Sequence, residues 1–250
     1  MKMLYSIGLV VAFCSAHVAT VVGQDQQPAQ KQKVSEIKDW GMATDQDGDC
    51  TFLQSEGKLT IKVPGTIHDM YPGQRDPAKR FNAPRVLQSV AGDFVAEVKV
   101  TSDWKPGPRN PEATTRPYFG AGLIVWDSAG ELVRLERNIW NEDRNLRGLP
   151  NNGLLVETSY SSPLYYKDAR AANRPKSATN GFFKGQSAWL RVRRIGESIE
   201  TAISSDGKEW VANETLSTTF GKTVQVGIHA VNSSTSEFVV AFEDFKISKN

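Results

Sequence analysis

Short runs in which apolar and polar residues alternate fill the sequence from Asp39 onward. Alternation with a period of two is typical of half-buried β-strands, and Gly, Ser, Asp and Pro residues that favour turns separate the runs. The pattern predicts nine strands, at 58–63, 93–100, 118–126, 132–137, 154–160, 189–195, 198–204, 224–231 and 238–247. No stretch keeps a helical period over three turns, so we expect a single all-β sandwich.

Two segments interrupt this rhythm, at 64–84 and 103–117, and both are rich in Pro, Gly and charged residues. We expect both to be loops. Long loops in a compact domain are often functional, but they can also simply cover one end of a sheet. The sequence leaves both interpretations open.

The first 38 residues have a different composition. Lys2 and the apolar run after it predict a secretory signal peptide over 1–23, with a lipoprotein anchor at Cys14 as the alternative. The Gln- and Lys-rich stretch 24–38 predicts a flexible tether, which leaves one domain over 39–250. We therefore expect a secreted or periplasmic protein, and no later segment has the length and hydropathy of a transmembrane helix.

Composition excludes some partners and limits the cysteine chemistry. The 250 residues carry a formal net charge of only +2, which gives no electrostatic reason to expect nucleic acid. Removal of the signal peptide would leave Cys50 as the one cysteine. It is expected to be a small buried side chain, because a catalytic thiol would need His68 or His229 as its partner.

The segment "GAGLIVWDSAGELVRLERN" at 120–138 predicts a hairpin with its turn at 128–130. If Asp127 lies opposite Glu131, alternate residues of the two strands form one apolar face. Those residues are Leu123, Val125, Val133 and Leu135.

The opposite face of this hairpin combines two glycines with ionisable residues. Gly120 and Gly122 lie among Arg134, Glu136 and Asn138. Missing side chains leave space above a sheet, so this face is expected to form a ligand groove. The alternative is a solvated face with a surface ion pair.

Other strands repeat this arrangement. Glu157 in the strand 154–160 and His229 in the strand 224–231 both have the outward parity, and Gly227 neighbours His229. Strand 189–195 places a Trp and two Arg on one outward face, which is either a sugar-stacking platform or simply a solvated surface.

The sequence also resembles a known family, the domain-of-unknown-function family 1349 of the concanavalin A-like lectin/glucanase superfamily. The resemblance covers about 39–248 and rests on eight motifs, "DGDCTF", "GKLTIKVPGTIHDM", "NAPRVLQSVAGDFVAEVKV", "YFGAGLIVWD", "LVRLERN", "DGKEW", "VQVGIHAVNSST" and "FEDFKI". It implies a jelly-roll β-sandwich of two antiparallel sheets, with carbohydrate on the concave face. It adds Arg85, expected just before a strand at the edge of the sheet, to the candidate ligand-binding residues. The complete candidate set is Arg85, Arg134, Glu136, Asn138, Glu157 and His229.

Three functions remain open. A secreted, non-catalytic glycan-binding module would use polar and aromatic groups of the concave face. A glycoside hydrolase would need two carboxylates, but the Glu-x-Asp-x-x-Glu motif of glucanases in this superfamily is absent, which leaves Glu136 and Glu157 as an atypical pair. The third possibility is an envelope or extracellular protein-interaction domain.

The segment "DQDGDC" at 45–50 resembles part of a calcium loop. Sandwiches of this type often hold a structural calcium ion between an N-terminal loop and an acidic residue on the last strand. The candidate ligands are Asp45, Asp47, Asp49 and Asp244. The alternative is a turn that uses Asp and Gly for its backbone geometry.

Overall fold

The computed structural model describes residues 32–70, 81–113, 117–127, 131–141, 155–161, 164–165 and 185–250. These residues form fifteen β-strands and no helix. Accordingly, no described helix is long and apolar enough to cross a membrane. The predicted signal peptide, 1–23, lies outside the described residues.

The strands are numbered here in chain order. They are β1 Lys33–Ile37, β2 Gly41–Asp45, β3 Thr51–Ser55, β4 Lys58–Val63, β5 Arg85–Ala91, β6 Phe94–Thr101, β7 Tyr118–Trp126, β8 Leu132–Asn141, β9 Leu155–Ser161, β10 Leu164–Tyr165, β11 Ser187–Ile195, β12 Ser198–Ser204, β13 Val211–Ser217, β14 Thr223–Asn232 and β15 Phe238–Lys249. The predicted strands at 58–63, 118–126 and 198–204 have the bounds that the alternation gave.

Two antiparallel sheets contain all of these strands. The eight-stranded sheet has the order β1-β2-β5-β14-β7-β8-β10, with β9 also paired to β8. The seven-stranded sheet has the order β13-β12-β11-β6-β15-β4-β3. The predicted all-β sandwich is confirmed, and its form is consistent with a jelly roll.

The hydrophobic core lies between the two sheets. In β4, every second residue is buried, and Leu59, Ile61 and Val63 are fully inaccessible. Across the sandwich, the rings of Phe119 and Phe238 stack with centroids 4.3 Å apart. Alternate burial on the inner faces supplies the main driving force for this fold.

The expected tether, 24–38, is wrong for its last part. Lys33–Ile37 is β1, which pairs antiparallel with β2 at the edge of the eight-stranded sheet. All of its residues except Ile37 are exposed. Backbone pairing holds such an edge strand without an apolar face, so hydrophobic alternation cannot reveal it. The remainder, 24–31, lies outside the described residues.

A second apolar cluster lies on the outer face of the eight-stranded sheet, the face turned away from the seven-stranded sheet. Met70 and Ala83, from the predicted loop 64–84, pack there against Ile124 of β7 and Val231 of β14. The described parts of this loop therefore cover part of the outer face.

Candidate functional site

The β7–β8 pairing matches the predicted hairpin. Leu123 pairs with Leu135 and Val125 with Val133, and all four side chains are fully buried in the core. The amide of Asp127 donates a hydrogen bond of 2.8 Å to the carbonyl of Glu131. The predicted apolar face is therefore confirmed, and the register is correct to the residue.

A row of paired residues crosses the outer face of the eight-stranded sheet. Arg85 of β5 pairs with His229 of β14, His229 pairs with Gly122 of β7, and Gly122 pairs with Glu136 of β8. His229 and Glu136 meet across Gly122 of β7, with Nε2 2.9 Å from Oε2. This contact joins three strands.

The space beside the second glycine is filled in the same way. The ring of Tyr118 lies over Gly120, where an added Cβ would be 2.5 Å from the ring carbon Cε1. The Tyr118 hydroxyl donates a hydrogen bond to Glu136 Oε1. A Cβ on Gly122 would lie 2.1 Å from the carbonyl oxygen of Leu135. These glycines accommodate the protein's own groups, so the prediction that they clear space for a ligand is wrong.

Charge in this network is balanced. Arg134 Nη1 lies 3.5 Å from Glu136 Oε2. Burial by itself would raise the pKa of Glu136, but the Arg134 charge and the hydrogen bonds from His229 and Tyr118 outweigh it and lower the pKa to about 2. This direction agrees with the ionised Glu136 expected from the sequence. Burial lowers the pKa of His229 despite the hydrogen bond to Glu136, which favours a neutral imidazole that donates from Nε2.

Four of the six candidate ligand-binding residues are buried. Arg134 is 5% exposed, Glu136 and Asn138 are 1% exposed, and His229 is inaccessible. They lie on the predicted face, but none of the four lines either groove of the described residues. Strand parity identifies the face of a side chain, whereas it contains no information about what packs over it.

Arg85 occupies a different, open position. It begins β5, which lies between β2 and β14 and not at the edge of the sheet as expected. Its Nη1 donates to the carbonyl oxygens of Phe81 and Ala83, and its guanidinium carbon lies 4.7 Å from the centre of the Trp126 ring.

A groove of about 330 Å³ opens beside this Arg85–Trp126 pair. It crosses β2, β5, β14 and the end of β7. Its lining residues are Met42, Thr44, Arg85, Leu87, Trp126, Asp127, Thr223, Val224 and Gln225. Sequence analysis missed Trp126, although it shares the parity of Gly120 and Gly122 and pairs with Gln225 in the sheet.

Glu157 does not lie level with Glu136. In the β8–β9 pairing, Glu136 is opposite Ser161, whereas Glu157 is opposite Trp140. The two glutamates are thus offset by four residues, which is about 13 Å along a strand. The side chain of Glu157 lies outside the described part of the structure.

The acidic loop after β2 forms a compact turn. Asp45 is fully buried, and its carboxylate accepts hydrogen bonds from the amides of Gly48 and Cys50, at 3.0 and 2.8 Å. Gly48 has a φ of 76°, which favours glycine. The geometric role of Asp and Gly in this turn is confirmed.

The other acidic residues of this loop contact the segment that follows β4. Asp49 Oδ1 lies 2.8 Å from His68 Nε2. Asp47 Oδ2 accepts a hydrogen bond of 2.6 Å from the side-chain Nδ2 of Asn82. Burial, together with Asp45 and Asp49, raises the pKa of the Cys50 thiol, so the structure does not support a reactive thiolate.

Asp244 does not join these residues. It is exposed, with a φ of 54°, at the irregularity between Glu243 and Lys246 in the β15–β6 pairing. The group of metal-binding atoms that converge to within 4.8 Å of one another comes instead from Asp45, Asp49, Cys50 and His68. Two of the four predicted aspartates are therefore outside this group. The bulge leaves Asp244 on the surface, and the carboxylate of Asp47 accepts a hydrogen bond from Asn82 instead.

The outward side chains of β11 are half-buried, and Arg193 forms a surface ion pair with Glu200, with Nη1 3.5 Å from Oε2, as the solvated alternative expects. Arg191 pairs with Glu97 at 2.5 Å, and its guanidinium carbon lies 3.7 Å from the centre of the Trp210 ring. These contacts hold the guanidinium in place on the outer face of the seven-stranded sheet.

No model of a known protein family matches this sequence, and no curated protein matches it. Membership of family 1349 is therefore not established. Solved structures do match. A protein of unknown function from Saccharomyces cerevisiae is 18% identical with a TM-score of 0.56, and the match covers 80% of this chain and 92% of that one.

Two further matches are parts of longer proteins. The GH43 protein BlXynB from Bacillus licheniformis is 13% identical with a TM-score of 0.53, over 92% of this chain and 40% of that one. Xylan β-1,4-xylosidase from Bacillus halodurans C-125 is 12% identical with a TM-score of 0.51, over 80% of this chain and 34% of that one. This chain spans well under half of either protein, and such similarity shows the fold alone.

Proposed function

We propose that the protein is a secreted or periplasmic, non-catalytic carbohydrate-binding module that binds a saccharide in the groove beside Trp126. The observation that carries this proposal is the combination of an indole ring with Arg85 and Gln225 in one open groove. Apolar faces of sugar rings stack on aromatic rings, and sugar hydroxyls need nearby donors and acceptors. The resemblance to family 1349 supports this proposal, because it implies a superfamily that binds carbohydrate on the concave face.

The buried network would support this groove without contacting the sugar. His229 pairs with Arg85 on one side and reaches Glu136 across Gly122 on the other. It therefore ties the strand that contains Arg85 to the centre of the sheet. Under this proposal, His229 and Glu136 are positioning residues.

Two observations argue against hydrolysis by Glu136. A general acid needs a raised pKa, whereas Arg134 and the hydrogen bonds hold the pKa of Glu136 at about 2. The paired carboxylates of most glycosidases are roughly 5–10 Å apart, whereas β-strand register displaces Glu157 by four residues.

The experiment is a glycan array followed by titration calorimetry of the best ligand, with xylo-oligosaccharides as the first class because of the matched xylosidase. Trp126→Ala should weaken binding at least about tenfold, since a central aromatic contact is lost. Trp210→Ala is the matched control, because Trp210 is another half-buried tryptophan near an arginine, on the other sheet.

Equal losses in the two variants, or no saccharide bound by the wild type, would contradict the proposal and favour a protein-interaction domain. Release of reducing sugar that is abolished in folded Glu136→Gln, with the fold checked by circular dichroism, would establish the hydrolase instead.

A further inference from the structure

Four side chains with three kinds of donor atom converge at the end of β2, and none of the four lines the proposed glycan groove. The carboxylates of Asp45 and Asp49, the Cys50 thiol and the His68 imidazole each place one atom within 4.8 Å of all the others. We propose that they bind a thiophilic divalent metal ion, for which Zn²⁺ is the representative. This proposal does not depend on the proposed function.

The backbone fixes the segments that contribute these groups. Asp45 is the last residue of β2, and its hydrogen bonds to the amides of Gly48 and Cys50 close the turn. His68 forms a bridge with Asn232 at the end of β14, through backbone hydrogen bonds of 2.8 and 2.9 Å. The cluster is therefore built before any ion binds.

The distances fit a tetrahedral ion after a small adjustment. Sulfur and oxygen ligands of a tetrahedral Zn²⁺ ion lie roughly 3.5 Å apart, given the usual bond lengths. Cys50 Sγ lies 3.7 Å from Asp49 Oδ1, and His68 Nε2 lies 2.8 Å from the same oxygen. An ion between these atoms would replace a direct imidazole–carboxylate contact with two coordinate bonds.

The local charge also favours a cation. Asp45, Asp47 and Asp49 lie in one short loop, and the described ion pairs of the last two are both with His68. One imidazole cannot balance three carboxylates. A bound dication would compensate this charge and would also favour the thiolate form of Cys50, whose proton is released on binding.

Outer contacts orient the proposed ligands. His68 Nδ1 lies 3.3 Å from the carbonyl oxygen of Thr66, and the Thr66 hydroxyl lies 3.3 Å from Asp49 Oδ2. Hydrogen bonds from the distal nitrogen of a histidine to a carbonyl are typical of metal sites, because they leave Nε2 as the ligand. Cys50 and His68 are buried, whereas the Asp49 side chain is 36% exposed and provides a route of entry.

Sulfur and nitrogen donors identify the class of metal. Ca²⁺ and Mg²⁺ select oxygen ligands, whereas a site with thiolate, imidazole and carboxylate is typical of Zn²⁺ and related transition metals. This proposal therefore differs from the calcium site considered in the sequence analysis, both in the ion and in the ligand set.

The test titrates the full chain, previously treated with chelator, with Zn²⁺ by calorimetry and with Co²⁺ by absorption spectroscopy. We expect one Zn²⁺ per chain and a sulfur-to-cobalt charge-transfer band. Cys50→Ser should remove the band, and Cys50→Ser and His68→Gln should each weaken Zn²⁺ binding by at least about 100-fold, since even outer-shell changes cost 10- to 100-fold. Cys14 is retained in every variant.

The matched control is Asp206→Asn, because Asp206 caps a similar Asp-Gly turn through the amides of Lys208 and Glu209 without a neighbouring thiol or imidazole. This variant should bind Zn²⁺ as the wild type does. Absence of the cobalt band in the wild type would overturn the proposal without any variant. Binding of Ca²⁺ in preference to Zn²⁺, or unchanged Zn²⁺ affinity in folded Cys50→Ser and His68→Gln, would also overturn it.

Discussion

Two buried histidines in this protein each contact a carboxylate at almost the same distance, but their surroundings differ. His229 lies 2.9 Å from Glu136 at the centre of the eight-stranded sheet, and His68 lies 2.8 Å from Asp49 beside the turn after β2. Beside the first pair stands Arg134. Asp45, Asp47 and the Cys50 thiol lie beside the second pair.

The difference shows how charge balance separates a structural network from a candidate ion site. At Glu136, the arginine supplies the balancing positive charge, and the hydrogen bond from His229 joins three strands. At Asp49, the described neighbours leave negative charge in excess. A histidine–carboxylate pair is therefore structural in one place and a candidate ion site in the other. Removal of the carboxylate should lower stability much more at the structural pair.

The largest expected effect is that of Glu136→Gln. This change removes the carboxylate from the buried Arg134–Glu136 ion pair, and breaking a buried pair in this way costs about 3–5 kcal/mol of unfolding free energy. Asp49→Asn, the corresponding change at the other histidine, should cost below about 1 kcal/mol in the presence of a chelator, because it removes surplus negative charge.

Urea unfolding at neutral pH measures both values. Equal costs for Glu136→Gln and Asp49→Asn would mean that charge balance does not distinguish the two sites.

A smaller effect is expected for Gly122→Ala, which tests whether the central network needs its glycine. The added Cβ would lie 2.1 Å from the Leu135 carbonyl oxygen, so β7 and β8 must move apart at the point where His229 reaches Glu136. Overpacking of this kind costs about 2–3 kcal/mol. Gly185→Ala is the control, because the nearest atom to its Cβ would be 4.0 Å away.

Thermal or urea unfolding of both glycine variants provides the comparison. If Gly122→Ala were as stable as Gly185→Ala, the contact across β7 would not depend on the close approach of the strands.

The sequence predicted the central region better than the turn region, for a physical reason. Alternation with a period of two determines both face and register in a hairpin, so the pairing of Leu123 with Leu135 could be derived from residues alone. The burial of Glu136 could not be, because it depends on what packs over the outer face. The open groove beside Trp126 was missed for the same reason.

The turn region depends on contacts between distant segments. The acidic loop was recognised, but its partner was expected on the last strand, at Asp244. His68 instead reaches the loop because it pairs with Asn232 through the backbone. No local pattern specifies that pairing, and the bulge that leaves Asp244 exposed is likewise a property of the assembled sheet.

The smallest expected effect is a dependence of stability on pH that results from the titration of His229. The pKa of His229 is lowered from its usual 6.5 by burial, so below about pH 6.5 the unfolded chain takes up a proton that the folded chain does not. Stability is therefore lost as the pH falls, by at most about 2 kcal/mol between about pH 7 and pH 5 for one proton. The lowered pKa of Glu136 acts in the same direction, but only from about pH 4.5 down to pH 2.

His229→Gln retains a side-chain donor for Glu136 and removes the titration. The difference in unfolding free energy between wild type and His229→Gln should therefore change across this range, whereas an unchanged difference would show that folding does not lower the pKa of His229.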